Sequence, residues 1–420
     1  MRPTRFISLF VSLALAGCVT LPRSDHPIEG SASAAPDGFP SNVRTLGITW
    51  RFDAPPAEIV RRLRASSNDG SLDMLALSGG GASGAFGAGA LVGLTRRNAR
   101  PQFEIVTGVS AGALIAPFAF LGPQWDGQLS EAFRGEHTSN LMQSLGIDAL
   151  FSAALFAGEP LRDLVDRFVS DELIAEVALE TAKGRLLLVA TTDLDKKETV
   201  VWNMGAIAAT GGEQARKLFR DVLVASASVP GIFPPVMIKV RDETGATYEE
   251  MHVDGGTTVP FFIAPEAALV TDNQPGTRDA NVFLIINSEL SSAPSSTPVK
   301  TLPIVARGFS AGLTHMSRTA LAVSSTLAKR AEAAFHYAAI PANDGFASFL
   351  EFDQAKMRAL FDYGEACAAN GRLWLTSPQQ MLAEAARPVA PKSGAMPACP
   401  VDAAASLAAL DVPGSNGRRK

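Results

Sequence analysis

Short apolar runs that stop at glycine alternate along this chain with longer stretches of helical spacing. Asp73 to Leu77 is apolar and leads into Gly79-Gly80-Gly81, which predicts a buried strand and then a tight turn. Gly84 to Leu94 is rich in Ala and Gly and predicts a small-faced helix able to pack closely on a sheet. Phe103 to Thr107 predicts a second strand and Ala111 to Leu121 a second helix. Strand, loop and helix twice over predict a parallel sheet with crossover helices.

The pattern continues on both sides. Ile59, Val60 and Leu63 mark a short helix after Pro55-Pro56. Pro160 opens a helix carrying Leu161, Leu164, Val165 and Phe168, and Ser170 caps another with Leu173, Ile174 and Val177, ended by Gly184. Leu186 to Thr191 is a strand, Asp193 to Lys197 a turn, and Thr199 to Trp202 the returning strand of a hairpin. Leu218 to Val229 reads as a helix halted by Pro230. Tyr248 to Val253 alternates and meets Asp254-Gly255-Gly256, and Val282 to Ile286 is another buried strand. Residues 313–334 and 353–370 have helical patterns, and from Pro388 onward a Pro- and Ala-rich tail is expected to be poorly ordered.

Composition narrows the class. Of 420 residues, 47% are hydrophobic and 19% charged, so the chain can bury a large core. A net charge of −5 without a basic stripe gives no reason to expect nucleic acid as a partner.

The N-terminus has its own logic. Arg2 and Arg5 precede an apolar run from Phe6 to Ala16, too short to span a bilayer, which reads as a secretory signal over residues 1–17. Leu15-Ala16-Gly17-Cys18 resembles a bacterial lipobox, whose cysteine becomes the lipidated first residue of the mature chain. Val19 follows, rather than the aspartate associated with inner-membrane retention, so the expectation is an outer-membrane lipoprotein facing the periplasm. Residues 18–45 then read as a flexible tether. The other two cysteines, Cys367 and Cys399, can pair in an oxidising compartment or stay as free thiols.

Two glycine-rich stretches carry the chemistry. Gly108-Val109-Ser110-Ala111-Gly112 is a G-x-S-x-G pentapeptide between a strand and a helix, where a tight bend exposes a nucleophilic serine. Gly79-Gly80-Gly81-Ala82-Ser83-Gly84 fits G-x-G-x-x-G, but Glu104 stands at the start of the next strand, where it cannot reach a ribose. Ala85-Phe86 occupy the places that a P-loop needs for Lys and Ser/Thr. The remaining functional reading is a cradle of backbone N–H groups for an oxyanion. The base is a carboxylate or a histidine: Asp254 sits at a strand end before two glycines, while His26, His137, His252, His315 and His336 lie in no recognisable motif.

Gly79-Gly80-Gly81-x-x-Gly84, Gly108-x-Ser110-x-Gly112 and Asp254-Gly255-Gly256, with Ala225-Ser226-Ala227-Ser228-Val229-Pro230-Gly231 ahead of the aspartate, together resemble the patatin-like phospholipase family over roughly residues 70–290. The resemblance implies a three-layer α/β/α fold with a mainly parallel central sheet. An α/β hydrolase domain over 46–300 and a helical C-terminal part over 301–387 packed on it are the expected organisation. It further implies a serine hydrolase of fatty acyl esters using a Ser–Asp dyad, without metal or organic cofactor. Ser110 would be the nucleophile, Asp254 the base, Gly108 and Gly112 the elbow, and Gly255 and Gly256 the turn behind the base. The amides of the Gly79, Gly80, Gly81, Ala82 and Gly84 loop would form the oxyanion hole. Many members carry Arg or Lys before the last glycine of the loop; here Ser83 stands there, so no cation is at hand for an anionic headgroup. Phe86, Phe118, Phe120, Phe233 and Phe261 are candidates to line an acyl pocket. Rival readings are an acyltransferase using the same dyad, a Ser–Asp–His hydrolase using His315 or His336, and a non-catalytic, membrane-anchored binding protein.

Overall fold

The computed structural model describes residues 34–47, 53–138, 141–142, 154–264, 279–291, 296–341, 346, 348–378 and 398–399. The signal sequence, Cys18, most of the tether and most of the tail lie outside the described residues.

In chain order the strands are β1 (Ala35–Pro36), β2 (Arg44–Leu46), β3 (Leu72–Leu77), β4 (Ile105–Val109), β5 (Leu186–Asp193), β6 (Glu198–Asn203), β7 (Val236–Arg241), β8 (Thr247–Asp254), β9 (Ala280–Glu289) and β10 (Ala334–Ile340). The helices are α1 (Pro56–Ser66), α2 (Ala85–Arg96), α3 (Ala111–Leu121), α4 (Asp126–Phe133), α5 (Glu159–Phe168), α6 (Asp171–Ala182), α7 (Met204–Thr210), α8 (Gly212–Ala227), α9 (Thr301–Arg330) and α10 (Gln354–Ala369).

One mixed sheet runs in the order β1-β7-β8-β5-β4-β3-β9-β10, with β6 on β5 and β2 on β6. It is parallel from β5 through β4, β3 and β9 to β10. It is antiparallel where β6, β8, β7, β2 and β1 join. Helices cover both faces, giving the three layers. The larger core joins the sheet to α2, α3, α5, α6, α8 and α10. On the opposite face, α1 packs through Ile59 and Leu63, and α9 through Leu321.

The small residues of α2 serve two contacts. A Cβ on Gly87 would meet Asn287 and Ile285 of β9, while one on Gly89 would sit 2.0 Å from the Phe361 carbonyl of α10. The C-terminal part is therefore locked onto the sheet and α2 at backbone distance. Cys367 and Cys399 are disulfide-bonded, which ties the described end of the tail to α10.

Two regions depart from the sequence reading. Residues 34–46 end the expected tether as part of the sheet: β1 pairs with β7, β2 pairs with β6, and the Arg44 side chain is fully buried. The expected helix at 313–334 begins earlier, at Thr301, and gives way to β10, which pairs parallel with β9. A short Ala-rich strand buried among other elements shows no period that separates it from helix.

Candidate active site

The site forms because two strands end against each other. β4 runs along β5 from Leu186 to Ala190, and β8 runs the opposite way along the same edge from Asp193 to Thr191. β6 fills the other edge of β5. The C-terminus of β4, followed by Ser110, thus meets the C-terminus of β8, which is Asp254. Gly255 lets this happen: a Cβ there would lie 2.4 Å from the Ala190 carbonyl and 3.1 Å from Val109.

Ser110 turns the chain from β4 into α3 with φ 55° and ψ −125°, a conformation that costs a non-glycine residue on the order of 1–3 kcal/mol. Its neighbours hold it there. The Ser110 N–H donates to Ser226 Oγ at 2.9 Å, and Ser226 Oγ donates to the Ala190 carbonyl at 2.7 Å. A Cβ at Gly112 would sit 2.3 Å from the Leu77 carbonyl, and one at Gly108 would sit 2.6 Å from the Gly112 carbonyl, so the elbow closes only with glycine at both places.

Ser110 Oγ donates to Asp254 Oδ2 at 2.6 Å. Asp254 Oδ1 accepts from the Gly256 N–H at 2.7 Å, and the Asp254 N–H donates to the Ser228 carbonyl at 2.8 Å. Both side chains are buried. Burial pushes the Asp254 carboxyl up to about 7, against the Ser110 hydroxyl and the Gly256 amide, which favour the charged form. A carboxylate with such an affinity for a proton is matched to proton transfer near neutral pH.

The glycine loop lies beside the serine. A Cβ on Gly79 would be 3.0 Å from Ser110 Cβ, and one on Gly84 would be 2.9 Å from Ala111 Cβ. Its amides divide into two groups. Those of Gly79, Ala82 and Ser83 donate to the carbonyls of Pro260, Phe349 and Gly80 at 3.2, 3.1 and 3.1 Å. Ala82, expected to offer its N–H to an oxyanion, is therefore engaged in this conformation. Gly84 lies in the helical turn behind and contributes close packing. Among the described residues, the Gly80 and Gly81 amides have no hydrogen-bond partner. Gly81, at φ 56°, presses against the chain at Phe349, where a Cβ would lie 2.0 Å from the carbonyl oxygen.

Sequence reasoning missed the braces of this loop. Asn287 donates through Nδ2 to the Ser78 carbonyl at 2.9 Å, receives the Gly87 N–H at 3.0 Å and donates its own N–H to Ser78 Oγ at 2.8 Å. An asparagine at the end of an apolar strand was the available signal. Ser226 and Ser228 were visible only as members of a run of small residues.

From Ser110 and Gly81 a narrow apolar cleft opens, with a cavity volume of about 70 Å³ in this conformation. Leu114, Phe118, Leu161, Val165, Phe233 and Phe352 are among its walls, and among the described residues no charged one lines it. Of the five phenylalanines anticipated, Phe118 and Phe233 line the cleft. Phe86 stacks on Tyr363, Phe120 lies under the Arg185 guanidinium, and Phe261 packs with Leu284 and Tyr337.

The two histidines considered as alternative bases stand apart from this pair. His315 is exposed on α9. His336 stacks on Phe283 with ring centres 5.0 Å apart. Neither bonds to Ser110, whose hydroxyl is given to Asp254. Asp193, Glu250 and His252 bring three ligand-type atoms within 4.8 Å of one another. That cluster already holds cations: Lys196 Nζ bonds to Asp193 and Glu250, and Arg44 bonds to Glu250. The two carboxylates are thus paired with an ammonium and a guanidinium, and the His252 ring bonds to Thr191 Oγ1 and Glu250 Oε2 at 3.0 and 3.2 Å.

Fold and site define a class: a three-layer α/β protein with a serine on a strand-to-helix elbow, in contact with a buried aspartate and open to an apolar cleft. Residues 75–265 match the family model of the patatin-like phospholipases, which supports lipid acyl hydrolase activity in general. No curated protein matches the chain. Among solved structures, the crystal structure of VipD from Legionella pneumophila is similar at 12% identity and a TM-score of 0.33, over 85% of this chain and 73% of that one.

Proposed function

We propose that the chain hydrolyses fatty acyl esters of lipids through a Ser110–Asp254 dyad. Ser110 Oγ attacks the ester carbonyl and its proton passes to Asp254. The carbonyl oxygen becomes an oxyanion, for which the Gly80 and Gly81 amides are the available donors. When the tetrahedral species collapses, the alcohol leaves with the proton held by Asp254 and the acyl group stays on Ser110. Water then attacks the acyl-enzyme, gives its proton to Asp254, and the fatty acid departs as Ser110 recovers its hydrogen. The ester and one water are the only reactants needed to balance the two halves.

The observation that carries this reading is the 2.6 Å hydrogen bond between Ser110 and Asp254 at the head of an apolar cleft. A cleft whose described walls carry no charge suits an acyl chain. Ser110→Ala is expected to remove fatty acid release from mixed envelope lipids, followed by mass spectrometry, with an unchanged circular dichroism spectrum. A fluorophosphonate probe is expected to label the wild-type chain and not the variant. Unchanged turnover in the variant would remove the nucleophile.

We propose further, on the lipobox-like Leu15-Ala16-Gly17-Cys18 alone, that the protein is a bacterial envelope lipoprotein anchored through Cys18 to the periplasmic side of the outer membrane. Acyl chains at the end of a short tether would hold the site near its substrate. Labelled palmitate is expected in the wild-type protein and absent from Cys18→Ala.

A further inference from the structure

We infer that the solvent face of α9 docks on an anionic lipid bilayer and sets the mouth of the acyl cleft against it. The occupant's identity as a lipid surface rests on the lipid-hydrolase reading; the docking itself is tested separately from it.

Charge makes the first part of the case. From Leu290 to Ala331 the chain has five Lys or Arg residues and no Asp or Glu, within a protein of net charge −5. Lys300 and Arg307 stand at one end of this stretch and Lys329 and Arg330 at the other, all exposed. Glu289 and Glu332 bound the stretch, so from 289 to 332 five cations stand against two carboxylates, and the net field is attractive to an anionic surface.

Polarity makes the second. The inner face of α9 is fastened to the protein: Leu321 is buried, and Arg318 Nε donates to the Leu290 carbonyl at 2.6 Å. The outer face carries Ile304, Val305 and Val323, each about half exposed, and Val299 stands 95% exposed just before the helix. Ala311 and Ala322 continue that face. A weakly polar stripe between clusters of cations fits a helix lying in the plane of a bilayer interface. Among the described residues, no helix is long and apolar enough to cross a membrane.

Continuity with the site makes the third. The N-terminal half of α9 passes over the catalytic turn. A Cβ on Gly256, two residues from Asp254, would lie 3.2 Å from Leu313 Cδ2. Phe309 packs on Phe349 with ring centres 5.5 Å apart, and Phe349 is a wall of the acyl cleft. A second, open cleft between Pro298, Pro303, Arg307 and Ser310 shares Phe349 and Leu350 with the first. A lipid leaving a bilayer under this face would meet that opening before the serine.

The test uses the full chain with Cys18→Ser, labelled at Val305→Cys with a polarity-sensitive dye. A control dye goes on α6 at Leu179→Cys, which is 65% exposed on the other side of the sheet. With vesicles containing phosphatidylglycerol, the Val305 dye is expected to shift to shorter wavelength and the Leu179 dye to stay as in water. The shift should fall as salt is raised and be lost on phosphatidylcholine alone. An unshifted Val305 dye on anionic vesicles, or equal shifts at both positions, would overturn the inference. So would a shift that needs no vesicles and grows with protein concentration, which would assign the face to a second copy.

In the unlabelled enzyme, Ile304→Asp with Val305→Asp is expected to slow hydrolysis of vesicle lipids roughly tenfold or more while leaving a soluble short-chain ester within about twofold. Equal loss on both substrates would count against docking. Adding Ser110→Ala separates the two claims: the dye shift is expected to remain, so docking stays readable even if the enzyme reading fails.

Discussion

Glu250 and Asp254 sit four residues apart on the same face of the same strand, and both are buried, yet they are opposite kinds of carboxylate. Glu250 bonds to Arg44 and lies beside His252 and Lys196. Burial pushes it up, but the His252 ring, Arg44 and Lys196 outweigh burial and hold it well below the usual range. Asp254 has a hydroxyl, one amide and no cation, so burial wins and its carboxyl is driven up to about 7. The strand supplies the same burial to both; the partner decides which carboxylate is a fixed charge and which exchanges its proton near neutral pH.

The largest effect should come from separating activity from stability along this strand. Asp254→Asn is expected to lower kcat/KM for a lipid ester by about 10³-fold or more, since one member of a catalytic unit removes most of its contribution. The fold should persist, because the amide can still accept from Gly256, and the variant should melt no lower than wild type at pH 8. A melting temperature that collapses would break the contrast with Glu250.

Glu250→Gln should do the reverse. Removing the charge leaves Arg44 and Lys196 buried without their shared anion, which costs about 3–5 kcal/mol in comparable buried pairs. Urea unfolding measures this, and the loss should appear as release of residues 34–46 to protease. Activity per folded molecule should stay near wild type.

pH sharpens the same comparison. Turnover should rise about tenfold per unit as pH climbs toward about 7, as Asp254 loses its proton, and level off above. Stability has two opposing parts. Asp254 has a raised folded-state pKa, so the native state holds its proton more tightly and stability falls as pH rises from about 4 through 7. Glu250 has a depressed one, so its contribution is present above the unfolded-state value and is lost as pH falls below it. Asp254→Asn should erase the first slope and leave the second.

Ser226→Ala should give the smallest change. It leaves the buried Ser110 amide without an acceptor, worth about 1–2 kcal/mol. Because that bond holds the elbow, kcat should fall more than KM rises, which steady-state kinetics on a soluble ester would separate.

Local pattern was enough for much of this protein. The apolar run into Gly79-Gly80-Gly81, the pentapeptide around Ser110 and the helix from Ala111 are set by nearest neighbours in sequence, so they were legible in one dimension. The Ser170 cap was too: its hydroxyl accepts from the Leu173 N–H at 3.1 Å. β10, the docking of residues 34–46 and the engagement of Ala82 by Phe349 were not, because each is settled by a partner far along the chain.

From residue order alone come the turn chemistry, the helix starts and the candidate pair of a hydroxyl and a carboxylate, since glycine placement and apolar period are local properties. Only the folded chain decides that β4 and β8 end against each other on one edge of β5. Only there is Asp254 stripped of water without being given a cation, because burial and charge pairing depend on what the whole sheet brings alongside.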